Sequence, residues 1–158
     1  MESKMQLRDI LRMRNRERGL PRIRSVPPEV LLLDALKTMA RHALGALVVS
    51  TRDRFIGLVT LNDVLQALSL RGAEVLAGSV DEIMNAEAII SRPDDAIEDV
   101  RRLMFERCLS HVPVIDEGRL LDVISRVDVA DAAYAECQFE NQLLKHYIKG
   151  WPDPDRAT

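Results

Sequence analysis

The chain has 158 residues, 47% of them hydrophobic but only 4% aromatic, and a formal net charge of −3. That length can bury an aliphatic core as one compact domain or two small ones, and the charge gives no general attraction to nucleic acid or an anionic membrane. The apolar runs are too short to span a bilayer, and the opening MESKMQLRDI has no apolar stretch of the kind a secretory signal needs. Cys108 and Cys137 fit no CxxC spacing, so buried or incidental thiols in a reducing cytoplasm are expected, with no disulfide framework and no metal site.

In chain order, a short apolar and acidic turn, LRDIL (7–11), is followed by an arginine-rich stretch, LRMRNRERGLPRIR, carrying Arg12, Arg14, Arg16, Arg18, Arg22 and Arg24. Such a stretch can bind phosphate, but no aromatic side chains interleave with it for base stacking, so a nucleic-acid surface is not expected. An extended piece over 23–26 precedes Pro28, which suits a helix start. Leu32, Ala35, Leu36 and Met39 then recur at helical spacing. Two short strands, 46–49 and 55–59, are joined by STRDR, a connection short enough for a hairpin. A second helix is expected from Asn62.

The same order then repeats. VDEIM (80–84) answers LRDIL, an extended piece over 88–91 precedes Pro93, and Ile97, Val100 and Met104 repeat the helical stripe. Strands over 111–115 and 120–124 flank the connection DEGR, and a helix runs from about Val127 to Lys149. Sliding the sequence by 65 positions superposes the halves without a gap from about residue 23 to 68. Pro28 falls on Pro93, Asp34 on Asp99, Met39 on Met104, Val49 on Val114, Asp63 on Asp128 and Ala67 on Ala132. The duplication is real, and it predicts two strand–helix–strand–strand–helix units, an α+β fold of sandwich-like layers. LRDIL and VDEIM lie 73 positions apart, so the first copy carries eight extra residues within its arginine-rich stretch.

The two junctions GLVTLNDV (57–64) and DVISRVDV (122–129) carry the chemistry, each with a hydroxyl residue and an acid three positions later. One reading is a capping box, in which Thr60 and Asp63, or Ser125 and Asp128, satisfy the free N–H groups of a helix start. The other is a ligand site, since a carboxylate can accept both hydroxyls of a ribose diol while the first helical turn faces phosphate. Repetition does not separate the two, because a duplicated fold duplicates its caps.

The stretch GALVVSTRDRFIGLVTLNDVLQAL, then VDEIMN, then SHVPVIDEGRLLDVISRVDVADA resembles a tandem pair of cystathionine-β-synthase (CBS) domains, a Bateman module, over roughly residues 5 to 135. The ending, a long helix finishing in HYIKG, is similar to small stand-alone bacterial CBS-pair proteins. The resemblance implies two β-α-β-β-α repeats packed with pseudo-twofold symmetry and a homodimer. It also implies clefts between the repeats for an adenosine-containing regulatory ligand: AMP, ADP, ATP, NAD or S-adenosylmethionine. It places ribose on Asp63 and Asp128, with ribose or phosphate oxygens on Thr60 and Ser125 beside Asn62 and Arg126. It lines the base with Arg24, Ser25 and Val26 in one copy and Ile90 with its neighbours in the other, and aims Ser110 and His111 at phosphate.

Two departures bear on the site. Gly57 fits the family, but its counterpart is Asp122; and a basic residue common before the acid is replaced by Asn62 and Val127, leaving Arg126, Arg24 and His111 as candidate substitutes. Ser110 and His111 do not suggest a hydrolase, since neighbouring strand residues point to opposite faces and no G-x-S-x-G elbow is present. No catalytic constellation appears. The expected division is residues 1–70 for the first repeat with its insertion, 71–79 for a linker, 80–135 for the second repeat and 136–158 for a helical extension. Ala132, Ala135, Phe139, Leu143 and Tyr147 form an apolar stripe along the C-terminal helix from about Val127 to Lys149, expected at a subunit contact. The function expected is a non-catalytic sensor that signals to a regulated protein; the alternative is a ligand-free interaction or dimerisation scaffold.

Overall fold

The computed structural model describes residues 4–18 and 24–150. The expectations on Arg22, Ile23 and the tail 151–158 lie outside the described residues. Helix α1 (Leu7–Arg18) precedes strand β1 (Ser25–Val26), helix α2 (Leu32–His42), strands β2 (Ala46–Thr51) and β3 (Arg54–Thr60) and helix α3 (Leu61–Arg71). Two 3₁₀ turns (Gly72–Ala77 and Val80–Glu82) lead to α4 (Ile97–Glu106), β4 (His111–Asp116), β5 (Arg119–Ser125) and α5 (Arg126–Lys149).

Each repeat forms for the same local reasons. In α2 the buried residues are Leu32, Ala35 and Met39, and in α4 they are Ile97, Val100 and Met104, one face of each helix. Both helices stop one turn before a strand with a residue in the left-handed region, Ala43 at φ 51° and Cys108 at φ 52°. The hairpins turn through Arg52–Asp53 (φ 49° and 62°) and Glu117–Gly118 (φ 47° and 78°), the twist that suits paired antiparallel strands. Each hairpin also carries a bulge at the same place, after Val49 and after Val114. β1 pairs in parallel with β2, Ser25 opposite Val48, which makes the first sheet three-stranded.

The second copy departs from expectation at its front. Its extended piece is reduced to one parallel bridge, Ser91 to Val114, beside a two-stranded sheet. The prolines do not open the helices either. Pro28 and Pro93 offer their carbonyls to Asp81 N–H (3.1 Å) and Arg8 N–H (2.9 Å), and the helices begin at Leu32 and Ile97.

Those bonds belong to an exchange. Leu7 and Ile10 are buried with Ile97, Met104, Val112 and Ile124 in the core of the second repeat. Val75 and Val80 are buried with Leu32, Met39, Val49 and Val59 in the core of the first. Gln6 bridges Ala96 as Ser79 bridges Leu31, and Ile97 N–H bonds Met5 carbonyl (3.0 Å) as Leu32 N–H bonds Gly78 carbonyl (2.9 Å). The 73-residue offset is kept throughout this pattern. Each repeat's lead-in therefore completes the other's core, which ties together two units that would each be marginal alone. Cys108 and Cys137 are both free and exposed, so of the two expected readings, buried or incidental thiols, the structure matches the second. No helix among the described residues is long and apolar enough to cross a membrane.

Candidate ligand-binding clefts

Both junctions are capping boxes. Thr60 accepts from Asp63 N–H at 3.3 Å, and Asp63 Oδ2 accepts from Thr60 N–H (2.8 Å) and Thr60 hydroxyl (2.9 Å). Ser125 accepts from Asp128 N–H at 3.1 Å, and Asp128 Oδ2 accepts from Ser125 N–H and Ser125 hydroxyl, both at 2.8 Å. The cap satisfies orphan donors of the first turn in each helix. It uses one oxygen of each carboxylate. Oδ1 of Asp63 and of Asp128 accepts no hydrogen bond among the described residues.

Each of these carboxylates lines a cavity. The Asp63 cleft, of about 530 Å³, is walled by Leu58, Thr60, Asn62, Asp63, Asn85, Ala88, Ile89, residues 107–111 and Arg126. The Asp128 cleft, of about 370 Å³, is walled by Arg14, residues 43–46, Ser110, His111, Val123 and residues 125–128. Both volumes suit a small organic ligand. The wall positions correspond under the 65-residue shift, Leu58 to Val123, Thr60 to Ser125, Asn62 to Val127. The structure thus brings Thr60, Asn62, Asp63, Ser110, His111 and Arg126 together in one cleft, and Ser110, His111, Ser125, Arg126 and Asp128 in the other.

It does not bring Arg24, Ser25, Val26 or Ile90 to the described walls of either cleft. The Arg24 carbonyl accepts from Val48 N–H, and Ser25 and Val26 pair with β2 through their backbones, β1 being the edge strand of the sheet. Ile90 is half exposed while Ile89 faces the Asp63 cleft, as alternation along an extended segment requires. Ser110 and His111 also depart from the alternation argument. Ser110 lies just before β4, so its hydroxyl meets His111 Nδ1 at 2.9 Å. Burial pushes the His111 imidazole below its ordinary value of 6.5, and the Asp128 carboxylate partly opposes that.

The largest difference between the clefts comes from Gly57 and Asp122. A Cβ on Gly57 would lie 2.9 Å from Met84 Sδ and 3.1 Å from Asn85 carbonyl, because the chain after the Val80 turn crosses here and bridges Leu58. At the equivalent place in the second repeat, α1 continues as a helix into the surplus stretch, as far as Arg18. Its Arg14 donates to Asp122 Oδ2 at 2.9 Å and to Val123 carbonyl at 3.3 Å, and lies 3.6 Å from Asp128 Oδ2. Asp122 is 7% exposed. Burial raises its pKa above the ordinary 3.8; Arg14 and Val123 N–H pull it back down, and Asp128 adds to the rise.

Arg14, Arg107, Asn85 and Gly45 are cleft residues that the sequence reading did not single out. A signal for Arg14 was present: one copy has a carboxylate where the other has glycine, and the opposite lead-in carries surplus arginines. For Gly45 the signal is only its alignment with Ser110. No group of three or more metal-ligating side chains occurs among the described residues.

The comparisons with known proteins agree with this architecture. A model of the CBS domain family matches residues 8–70 and 80–135. The CBS domain-containing protein CBSX3, mitochondrial, of Arabidopsis thaliana is 31% identical over 122 residues, 74% of this chain and 59% of that one, so the chain spans about three-fifths of that relative. Among solved structures, a CBS-domain containing protein from Agrobacterium tumefaciens is 28% identical with a TM-score of 0.74, over 82% of this chain and 99% of that chain. The cytosolic domain of the Mg2+ channel MgtE, in complex with ATP, is 28% identical with a TM-score of 0.58, over 71% of this chain and 45% of that chain.

Proposed function

The chain belongs to the CBS domain family, and from that premise we propose that it is a non-catalytic regulatory module binding an adenosine-containing nucleotide between its repeats. The observation that carries this reading is the half-used carboxylate of each capping box. Asp63 and Asp128 spend Oδ2 on the helix start and keep Oδ1 beside a ligand-sized cavity. A ribose can donate both hydroxyls to such a group, each bond contributing about 1.5–3 kcal/mol when shielded from water. The free N–H groups of the first turn, with Ser110, His111 and Arg126, supply donors for phosphate. The ATP bound to the MgtE cytosolic domain supports a nucleotide as the ligand class. AMP, ADP, ATP, NAD and S-adenosylmethionine are the candidates.

A nucleotide in either cleft contacts side chains from both repeats, and so biases how the repeats pack. A partner protein that senses that packing must in turn change nucleotide affinity by the same factor. The other half of the proposal is a homodimer, supported by the exposed apolar residues Phe139, Leu143, Leu144 and Ile148 on α5. Thermal unfolding against the five candidate ligands tests the main reading. A ligand present at about 100 times its Kd stabilises by about 2.7 kcal/mol, whereas a panel that leaves the melting curve unmoved leaves only the scaffold reading. Light scattering across a dilution series tests the dimer, and a monomer mass at all concentrations removes it.

A further inference from the structure

The two clefts draw on the same polar groups. Ser110, His111 and Arg126 line both, and all three come from the second repeat. Their counterparts in the first repeat are Gly45, Ala46 and Leu61, none of which has a donor in its side chain. A Cβ on Gly45 would lie 2.8 Å from His111 Cε1 and 3.1 Å from Nε2, so the imidazole is seated on the first repeat, at the boundary of the two cavities. Its Nδ1 is engaged by Ser110 hydroxyl, which leaves Nε2 as the ring nitrogen available to a ligand. Arg126 gives Nε (3.2 Å) and Nη2 (2.9 Å) to Leu109 carbonyl, leaving mainly Nη1 for a phosphate.

The private cations do not remedy this equally. Arg14 in the Asp128 cleft is held by Asp122, whereas Arg107 in the Asp63 cleft has no hydrogen bond or ion pair from its side chain among the described residues. One imidazole nitrogen and one guanidinium edge cannot serve two phosphates in separate cavities.

We propose that the clefts compete for Ser110, His111 and Arg126, so that a phosphate-bearing nucleoside in one cleft weakens binding of a second in the other. The Asp63 cleft, larger and with Arg107 unpaired, fills first. A nucleoside without phosphate makes no demand on the shared donors and fills the clefts independently. This rests on the nucleotide reading above and adds the coupling between its two sites.

Isothermal titration of the full chain with AMP and with adenosine tests it. In the Asp63→Asn protein the Asp128 cleft binds AMP about tenfold more tightly than the second AMP binds the unaltered protein, a coupling of about 1.4 kcal/mol. For adenosine the two values agree. Leu61→Arg, at an exposed first position of α3 that matches Arg126, supplies a second guanidinium and tightens the second AMP step in a chain that keeps both caps. Equal AMP affinities in the unaltered and Asp63→Asn proteins overturn the proposal while leaving the nucleotide reading intact. The same coupling with adenosine also overturns it, since phosphate would then play no part. Failure of adenosine and of AMP, ADP, ATP, NAD and S-adenosylmethionine alike to bind removes the nucleotide reading itself, and the coupling with it.

Discussion

At the Asp63 junction the segment crossing the sheet is backbone, with Asn85 bridged to Leu58 over a glycine. At the Asp128 junction the corresponding place holds a buried carboxylate answered by Arg14 from an elongated helix. The first arrangement needs only that no Cβ intrude. The second removes a charged pair from water, and attraction between the partners must offset that desolvation. In return it places a cation beside the capping carboxylate of one cleft and not the other. The comparison teaches that a duplicated fold can keep its caps identical while the surplus of a single lead-in makes its two sites chemically different.

Four measurements can break or sharpen that contrast. The largest effect is expected from Arg14→Leu, which leaves Asp122 buried and unpaired. A loss of about 3 kcal/mol in urea unfolding is expected, with Arg14→Leu combined with Asp122→Gly recovering most of it. If the single change is neutral, the pair does not secure α1 to the second repeat.

Gly57→Ala should come next, at about 2 kcal/mol, because the new methyl meets Met84 Sδ and the Asn85 carbonyl and only the former can swing away. Retained stability there would mean that the Asn85 crossing is loosely held, and the contrast with Asp122 would lose its steric half. Asp63→Asn and Asp128→Asn should each cost about 1 kcal/mol through the cap. They should also weaken nucleotide binding about tenfold at their own cleft. Equal stability losses with unchanged affinity would reduce both junctions to caps.

The smallest effect expected is in pH. His111 has a lowered pKa in the folded chain, so between that value and 6.5 the unfolded chain holds more protons. Its contribution is complete above pH 6.5 and is lost as pH falls through the folded value. Asp122, raised above 3.8, acts with the opposite sign: from 3.8 up to its folded value, stability falls as pH rises. His111→Gln should flatten the pH dependence of thermal unfolding below pH 6.5, and an unchanged slope would assign it to other groups.

The repeat, its element order and both caps were legible because they depend on local spacing. Thr60 and Asp63 are three residues apart, and the apolar stripes of α2 and α4 recur at helical intervals. The extended pieces were less so. One at 25–26 pairs as a strand and its counterpart at 91 makes a single bridge, although both read as extended pieces ahead of a proline, since pairing depends on the neighbour presented. Arg24 and Ile90 were placed by resemblance; Ile90 alternates with Ile89, which takes the wall of the Asp63 cleft, and Arg24 is the position that matches Ile89 under the 65-residue shift.

By itself the sequence determined the duplicated unit and the chemistry of its two junctions, because hydrophobic period and capping residues act within a few positions of one another. Only the tertiary structure decided which lead-in completes which core, that Arg14 answers Asp122 across 108 positions, and that His111 sits against Gly45 between two clefts. Those relations depend on packing between segments far apart in the chain, and no local period encodes them.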